Sequence, residues 1–246
     1  MRKSKYLVLS SFYFDFNNDL TEITNVKELF KKQNILDLHR FDILKNIERF
    51  AFKENQIKHL KLPQNIEIID NYSFNKNQIE ILDLSNCINL KNIGEFAFKE
   101  NQIKHLKLPN NIEEIKWSAF LKNQIKILDL SNCIKLKNIR EAAFRENQIK
   151  HLKLPKNIEE IEGSTFKYNQ IEILDLSNCI KLKHIVFDAF SSNPLNEIKI
   201  LDNIEIGYDK KNIDDLWNKF VKYYNDNKMK SGDYKYNNNE WKWYPL

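Results

Sequence analysis

Apolar residues recur along the chain in the order Ile-x-x-Leu-x-Leu, then a lone Ile, then a Phe, and the order repeats from residue 57 to residue 200. The Leu-x-Leu pair has a period of two, which puts both leucines on one face of a short strand and the residue between them on the other. Ile57, Leu60 and Leu62 make the first clear set, Ile79, Leu82 and Leu84 the next, and Leu195, Ile198 and Ile200 the last. Aligned on the Asn before each strand (Asn55, Asn77, Asn101, Asn123, Asn147, Asn169, Asn193), the copies lie 22, 24, 22, 24, 22 and 24 residues apart. Regular spacing of this kind marks a stacked array in which each coil covers the apolar flank of its neighbour. The true unit is a pair of coils, 46 residues long, one reading NQIKHLKLP and the other NQIEILDLSNC.

Two weaker copies precede these, one from Lys31 and a divergent one around SFYFDFNNDLTEI, so about nine coils are expected, with irregular ends. Each coil returns through an Ile (Ile69, Ile93, Ile115, Ile139, Ile161, Ile185) to a Phe. Phe52, Phe74, Phe98, Phe120, Phe144, Phe166 and Phe190 keep the same rhythm and are predicted to form an aromatic spine under the convex side. The Asn that follows is expected to take a left-handed cap conformation after a short helical turn, since the chain has only four glycines for such work. Three positions past the second Leu, Asn and Cys alternate: Asn65, Cys87, Asn111, Cys133, Asn157, Cys179, Asn203. These read as rungs that satisfy buried backbone groups. At a strand spacing of about 4.8 Å the cysteines fall roughly 9.6 Å apart. A disulfide needs Cα atoms within about 7 Å, so none is expected.

The strand motif with its Asn or Cys resembles the leucine-rich repeat. The longer form L-P-x-x-I-x-x-I-x-x-x-A-F-x-x-N, as in LKLPNNIEEIKWSAFLKN, is similar to the BspA-type bacterial subclass. The resemblance covers residues 31–206, although the glycine that commonly follows the second Ile in the subclass is kept only at Gly94. It implies an α/β fold: a leucine-rich repeat solenoid with a concave parallel β-sheet. The chain divides into a divergent capping coil (1–30), the repeat array (31–208) and a C-terminal cap (209–246). Members of the subclass are often surface or secreted recognition proteins of host-associated bacteria. The start MRKSKYLVLSSFYFDF points elsewhere, because Asp15 interrupts its apolar stretch and no small-residue cleavage site follows. An uncleaved cytoplasmic chain is expected.

The residues between the leucines should stack as a ladder on the concave face: Asp37, Lys61, Asp83, Lys107, Asp129, Lys153, Asp175, Lys199. Opposite charges alternate, so a Lys coil stacks best on an Asp coil, which explains the doubled unit. Each Lys is expected to have an acid on both sides, each exposed pair worth about 0.2–1 kcal/mol. Two positions earlier runs a second stripe: Ile35, His59, Ile81, His105, Ile127, His151, Ile173, Glu197. Three regularly placed histidines raise the question of a metal site. A shared ion needs imidazole nitrogens about 2.0 Å away, whereas alternate coils lie roughly 9.6 Å apart, so neither metal nor other cofactor is expected. A mixed surface of imidazole and branched apolar groups suits recognition of a protein or peptide.

After residue 208 the rhythm stops. NIDDLWNKFVKYYNDN carries Ile213, Leu216, Trp217, Phe220, Val221 and Tyr224 on one helical face, with Asn212 as candidate N-cap and Asp214 and Asp215 suited to the helix dipole. DYKYNNNEWKWYPL alternates Tyr234, Tyr236, Trp241 and Trp243 around an Asn-rich turn and predicts a hairpin. The segment serves as a lid on the last coil or, on a sharper reading, as an aromatic docking patch.

Net charge is +5 with both signs interleaved, and no basic block stands out, which argues against nucleic acid. No apolar run approaches a membrane span. No catalytic constellation survives, because serines and carboxylates recur with the coils. The expected function is non-enzymatic recognition of a protein or peptide by a monomeric chain through His59, Lys61, Ile81, Asp83, His105, Lys107, Ile127, Asp129, His151, Lys153, Ile173 and Asp175. The alternative is a self-associating scaffold joined through the solenoid ends or the aromatic tail.

Overall fold

A computed structural model describes residues 34–207 and 214–245, together with the backbone of 14–16 and 22–26. Within it the repeats form a parallel β-solenoid, each coil contributing one three-residue strand and one two-residue strand. The three-residue strands are Ile-Leu-Asp at Ile35–Asp37, Ile81–Asp83, Ile127–Asp129 and Ile173–Asp175, alternating with His-Leu-Lys at His59–Lys61, His105–Lys107 and His151–Lys153. The two-residue strands end on the recurring Ile, as at Asn92–Ile93 and Glu114–Ile115. They belong to one continuous ten-stranded sheet that opens on the strand pair Phe14–Phe16 and Glu22–Val26. That pair is antiparallel, with Glu22–Val26 running parallel to the first coil. A hairpin thus stands where the sequence suggests a divergent coil.

Between the sheets lies the predicted spine. Phe52, Phe74, Phe98, Phe120, Phe144, Phe166 and Phe190 are fully buried. Successive rings stack with centroids 5.2 to 5.7 Å apart and planes within 15°.

The recurring Asn does something other than cap a turn. The left-handed residues are the ones before it, Glu54, Lys76, Glu100, Lys122, Glu146, Tyr168 and Ser192, along with the residue two before each spine Phe. The turn they make is not helical, and a side chain in that conformation costs roughly 1–2 kcal/mol. Lys122→Gly is accordingly expected to raise stability by roughly 0.5–1 kcal/mol after the entropy cost of glycine, read by urea unfolding. The Asn itself is buried. Asn123 Oδ1 accepts from the Ile103 amide of the preceding coil at 3.0 Å. Its Nδ2 donates to the carbonyls of Phe98 and Phe120 at 2.9 and 3.1 Å. Asn77, Asn101, Asn147, Asn169 and Asn193 repeat the pattern, forming a buried amide ladder beside the spine.

The supposed Asn and Cys rungs also separate. Asn65, Asn111 and Asn157 are not buried, and each donates to a carbonyl of the preceding coil. Cys87 and Cys133 are buried, their thiols against the carbonyls of Pro63 and Pro109. All three cysteines are free. Burial, helped by the charges of Asp83 and Asp129, pushes the Cys87 and Cys133 thiols up to about 11. A thiol so protonated is a poor nucleophile. Ellman's reagent should find no fast-reacting group in the folded protein and three after denaturation.

The C-terminal cap follows the predicted plan with one shift. The helix spans Leu216–Asp226 and its N-cap is Asp215; the candidate Asn212 lies outside the described residues. Asp215 accepts from the Trp217 amide and, through its other oxygen, from Ser192, tying the helix to the last turn. Trp217 continues the spine, 5.0 Å from Phe190. The hairpin Gly232–Asn237 and Glu240–Tyr244 turns through Asn238 and Asn239, both left-handed, as a two-residue hairpin loop of this hand requires. Its first strand pairs antiparallel with Glu197–Ile200 and so closes the face of three-residue strands.

Candidate functional site

Within each pair of coils the register is strict and sets the predicted recognition residues side by side. Ile35 pairs with His59 and Asp37 with Lys61; Ile81 with His105 and Asp83 with Lys107; Ile127 with His151 and Asp129 with Lys153; Ile173 with Glu197. Each strand buries its central Leu fully or in part and turns the flanking residues outward. Ile81, Ile127 and Ile173 stay 59%, 63% and 55% exposed, which is unusual enough for β-branched apolar groups at one repeated position to define the surface.

The face is not a uniform sheet. Hydrogen-bonded ladders join each Ile-Leu-Asp strand to the strand after it, His-Leu-Lys in three cases and Glu197–Ile200 in the last, but the opposite step is loose. His59 and Ile81 form the single registered pair at the first such step, and the sheet breaks between His105–Lys107 and Ile127–Asp129 and again between His151–Lys153 and Ile173–Asp175. The loose step is the 22-residue one. Its effect shows in the core: Leu62, Leu106, Leu108 and Leu152 remain partly open, while Leu82, Leu84, Leu128 and Leu130 are buried to 1%. At the first seam a groove of about 510 Å³ runs along His39, His59, Leu62, Ile81 and Asp83, with Cys87 at its floor.

The charge ladder follows the same pairing. Lys61 lies 3.9 Å from Asp37, Lys107 3.6 Å from Asp83 and Lys153 3.7 Å from Asp129, whereas Lys199 departs from the expected ladder and pairs with Glu197 at 3.7 Å. Among the described residues no lysine of this ladder reaches the Asp on its other side, which corrects the expectation of an acid on both flanks. Each Asp turns instead to its own coil: Asp129 accepts from the Ser131 hydroxyl and amide at 2.6 and 3.0 Å, and Asp83 does the same with Ser85. The Ser131 bonds and the Lys153 ammonium hold the Asp129 carboxyl below its ordinary 3.8 against opposing burial. Burial pushes Asp83 up, yet Ser85 and Lys107 outweigh it and the net shift is again downward. A lowered folded-state value stabilises at pH above the unfolded one and is lost as the pH falls through the lower value. Acid unfolding below about pH 4 should therefore be less steep in an Asp83→Asn, Asp129→Asn variant, followed by circular dichroism.

Three surface features escaped the sequence reading. A row of lysines precedes the stripe at Lys58, Lys104, Lys126 and Lys150, and Lys104 pairs with Glu80 at 2.9 Å. Near the spine, Phe50, Tyr72, Phe96 and Trp117 of four successive coils form a row of ring contacts at 5.0, 4.6 and 4.7 Å, with Phe50 and Trp117 exposed and Phe96 buried; the recurring RFAF, NYSF and EFAF were its signal. Ile88, Ile134 and Ile180 project as a third row, each more than half exposed. The tail offers less than expected, since Trp217 and Tyr234 are fully buried and Trp241 nearly so, which removes them as a docking patch. Among the described residues no group of three or more His, Cys, Asp or Glu is placed to hold a metal, and no helix is long and apolar enough to cross a membrane.

Coils of two short parallel strands, one Asn-anchored turn and one Phe-lined return define a leucine-rich repeat protein. The family model of the BspA type leucine rich repeat region matches residues 21–135 and 125–210 in six copies, and the chain belongs to that family. No curated protein matches the chain in sequence. Membership suggests a protein-interaction module, and the match points to no catalytic family.

Proposed function

We propose that the protein is a recognition module that holds a protein or peptide against the stripe His59, Ile81, His105, Ile127, His151 and Ile173 and the Lys and Asp ladder beside it. The observation that carries this reading is the exposure of Ile81, Ile127 and Ile173 on strands anchored by a rigid core. An array that only needed to fold could place a polar residue there at no cost to packing. The paired variant His105→Ala, Ile127→Ala is expected to keep the wild-type unfolding free energy within about 0.5 kcal/mol, as surface changes do. It should lose binding of any partner found by an unbiased interaction screen. A partner bound equally by both proteins would remove this stripe from consideration.

Self-association through the ends has less in its favour. The last strand, Glu240–Tyr244, presents Lys242 paired with Glu240 at 3.2 Å, and a charged edge of that kind resists strand addition. The full chain is expected to run as a monomer across a hundredfold concentration range in light scattering; concentration-dependent growth would favour the scaffold.

A further inference from the structure

We infer that the solenoid is jointed: its two-coil units hinge at the 22-residue steps, so that the face of three-residue strands opens and closes about an axis on the side of the two-residue strands. The backbone shows where the joints lie. Within a unit, the leucine amide that follows each Ile-Leu-Asp strand donates to a lysine carbonyl of the next coil, Leu38 to Lys61, Leu84 to Lys107, Leu130 to Lys153 and Leu176 to Lys199, at 2.8 or 2.9 Å. At the matching place across the seams, the amides of Leu62, Leu108 and Leu154 have no such bond among the described residues. Nor, among those residues, does an ion pair span a seam on this face. Widening the second or third seam therefore breaks neither ladder nor charge pair there, and it wets leucines that are already partly open at Leu106, Leu108 and Leu152. Opening a unit would break both.

The two-residue strands hold where the others part. They pair in register across every seam: Ile68–Ile69 with Asn92–Ile93, Glu114–Ile115 with Asn138–Ile139, and Glu160–Ile161 with His184–Ile185. Just past these strands each seam has a clasp of its own. At the first, Asn71 Oδ1 accepts from the Glu95 amide at 2.7 Å. At the second, Arg140 Nε donates to Glu114 at 2.7 Å. At the third, buried Asp188 accepts from the Ser164 amide at 2.9 Å and from the Lys167 ammonium at 2.8 Å. With one edge clasped and the other unbonded, the soft motion left to a seam is rotation, the hinge type of domain movement.

Electron–electron double resonance between two nitroxide labels in frozen full-length protein reads the spread of widths in the ensemble. One variant carries labels on the face of three-residue strands, Lys61→Cys with Asp175→Cys. The other carries them beside the two-residue strands, Glu67→Cys with Lys183→Cys. Both pairs join the same two coils and span all the seams, with Cys87, Cys133 and Cys179 changed to Ala in each. The first distance distribution should be at least about twofold broader than the second. In the unaltered chain, the amides of Leu108 and Leu154 should exchange hydrogen at least about a hundredfold faster than those of Leu84 and Leu130. Narrow distributions on both sides would overturn the hinge, and equally broad ones would overturn its axis. Exchange at Leu108 as slow as at Leu130 would show a closed seam and overturn the inference without any substitution.

Discussion

Asn123→Ala is expected to lower the unfolding free energy by about 3 kcal/mol, far more than an ordinary surface Asn would cost. The two carbonyls that Asn123 serves keep second donors, because Phe98 O also accepts from Asn101 and Phe120 O from Asn147. The Ile103 amide has Asn123 Oδ1 as its partner and is left buried without one. An orphaned buried amide costs about 1–3 kcal/mol, and each of the two further lost bonds about 1. Asn123→Asp should be worse at neutral pH. It keeps the acceptor for Ile103 but sets a carboxylate oxygen against two carbonyls, in a site where a charge has no counter-ion. Urea unfolding followed by circular dichroism reads both. A loss below about 0.5 kcal/mol for Asn123→Ala would mean that the amide ladder does not hold the coils.

Phe120→Ala carries the other large effect, about 3–5 kcal/mol, the usual cost of emptying a fully buried aromatic site. Its ring touches both neighbours in the stack, 5.5 Å from Phe98 and 5.2 Å from Phe144, so the cavity weakens two coil interfaces at once. Stability in such arrays is close to a sum of nearest-neighbour terms. A break at the middle should then divide unfolding into two steps. Trp117 reports on the N-terminal side of the break and Trp217 in the cap on the C-terminal side, and with the other tryptophans changed to Phe the two probes should no longer give coincident midpoints. Phe120→Leu should cost less and keep them together. A single shared transition in Phe120→Ala would count against the spine as the mechanical link.

Much of this architecture was legible in the residues, because burial repeats with them. The spine could be read from the rhythm of A-F, the outward stripe from the two-residue alternation, and the hairpin from Asn238 and Asn239 between alternating aromatics. The role of the Asn was not. An amide before a strand suits a left-handed cap and a buried long-range ladder equally well in sequence, and only the coil two dozen residues away decides between them. The seams were hidden for a related reason: the charges of Lys107 and Asp129 look symmetric along the chain, while backbone pairing joins Lys107 to Asp83 alone. The candidate residues occupy registered strand positions, whereas Lys126 and Lys150 stand just outside the strands, where the two-residue alternation carries no signal. For the aromatic tail the sequence left two roles, lid and docking patch; burial of Tyr234 and Trp241 on the last coil fits the lid, because the open end of a solenoid consumes such residues as core.

The most direct test of the account is amide hydrogen exchange resolved by residue. If buried asparagines tie successive coils together, the amides of Ile57, Ile79, Ile103, Ile125, Ile149 and Ile171 should be among the slowest in the protein, because each is fully buried and donates to the Asn of the next coil. Exchange at those six positions as fast as at the exposed turns would contradict it.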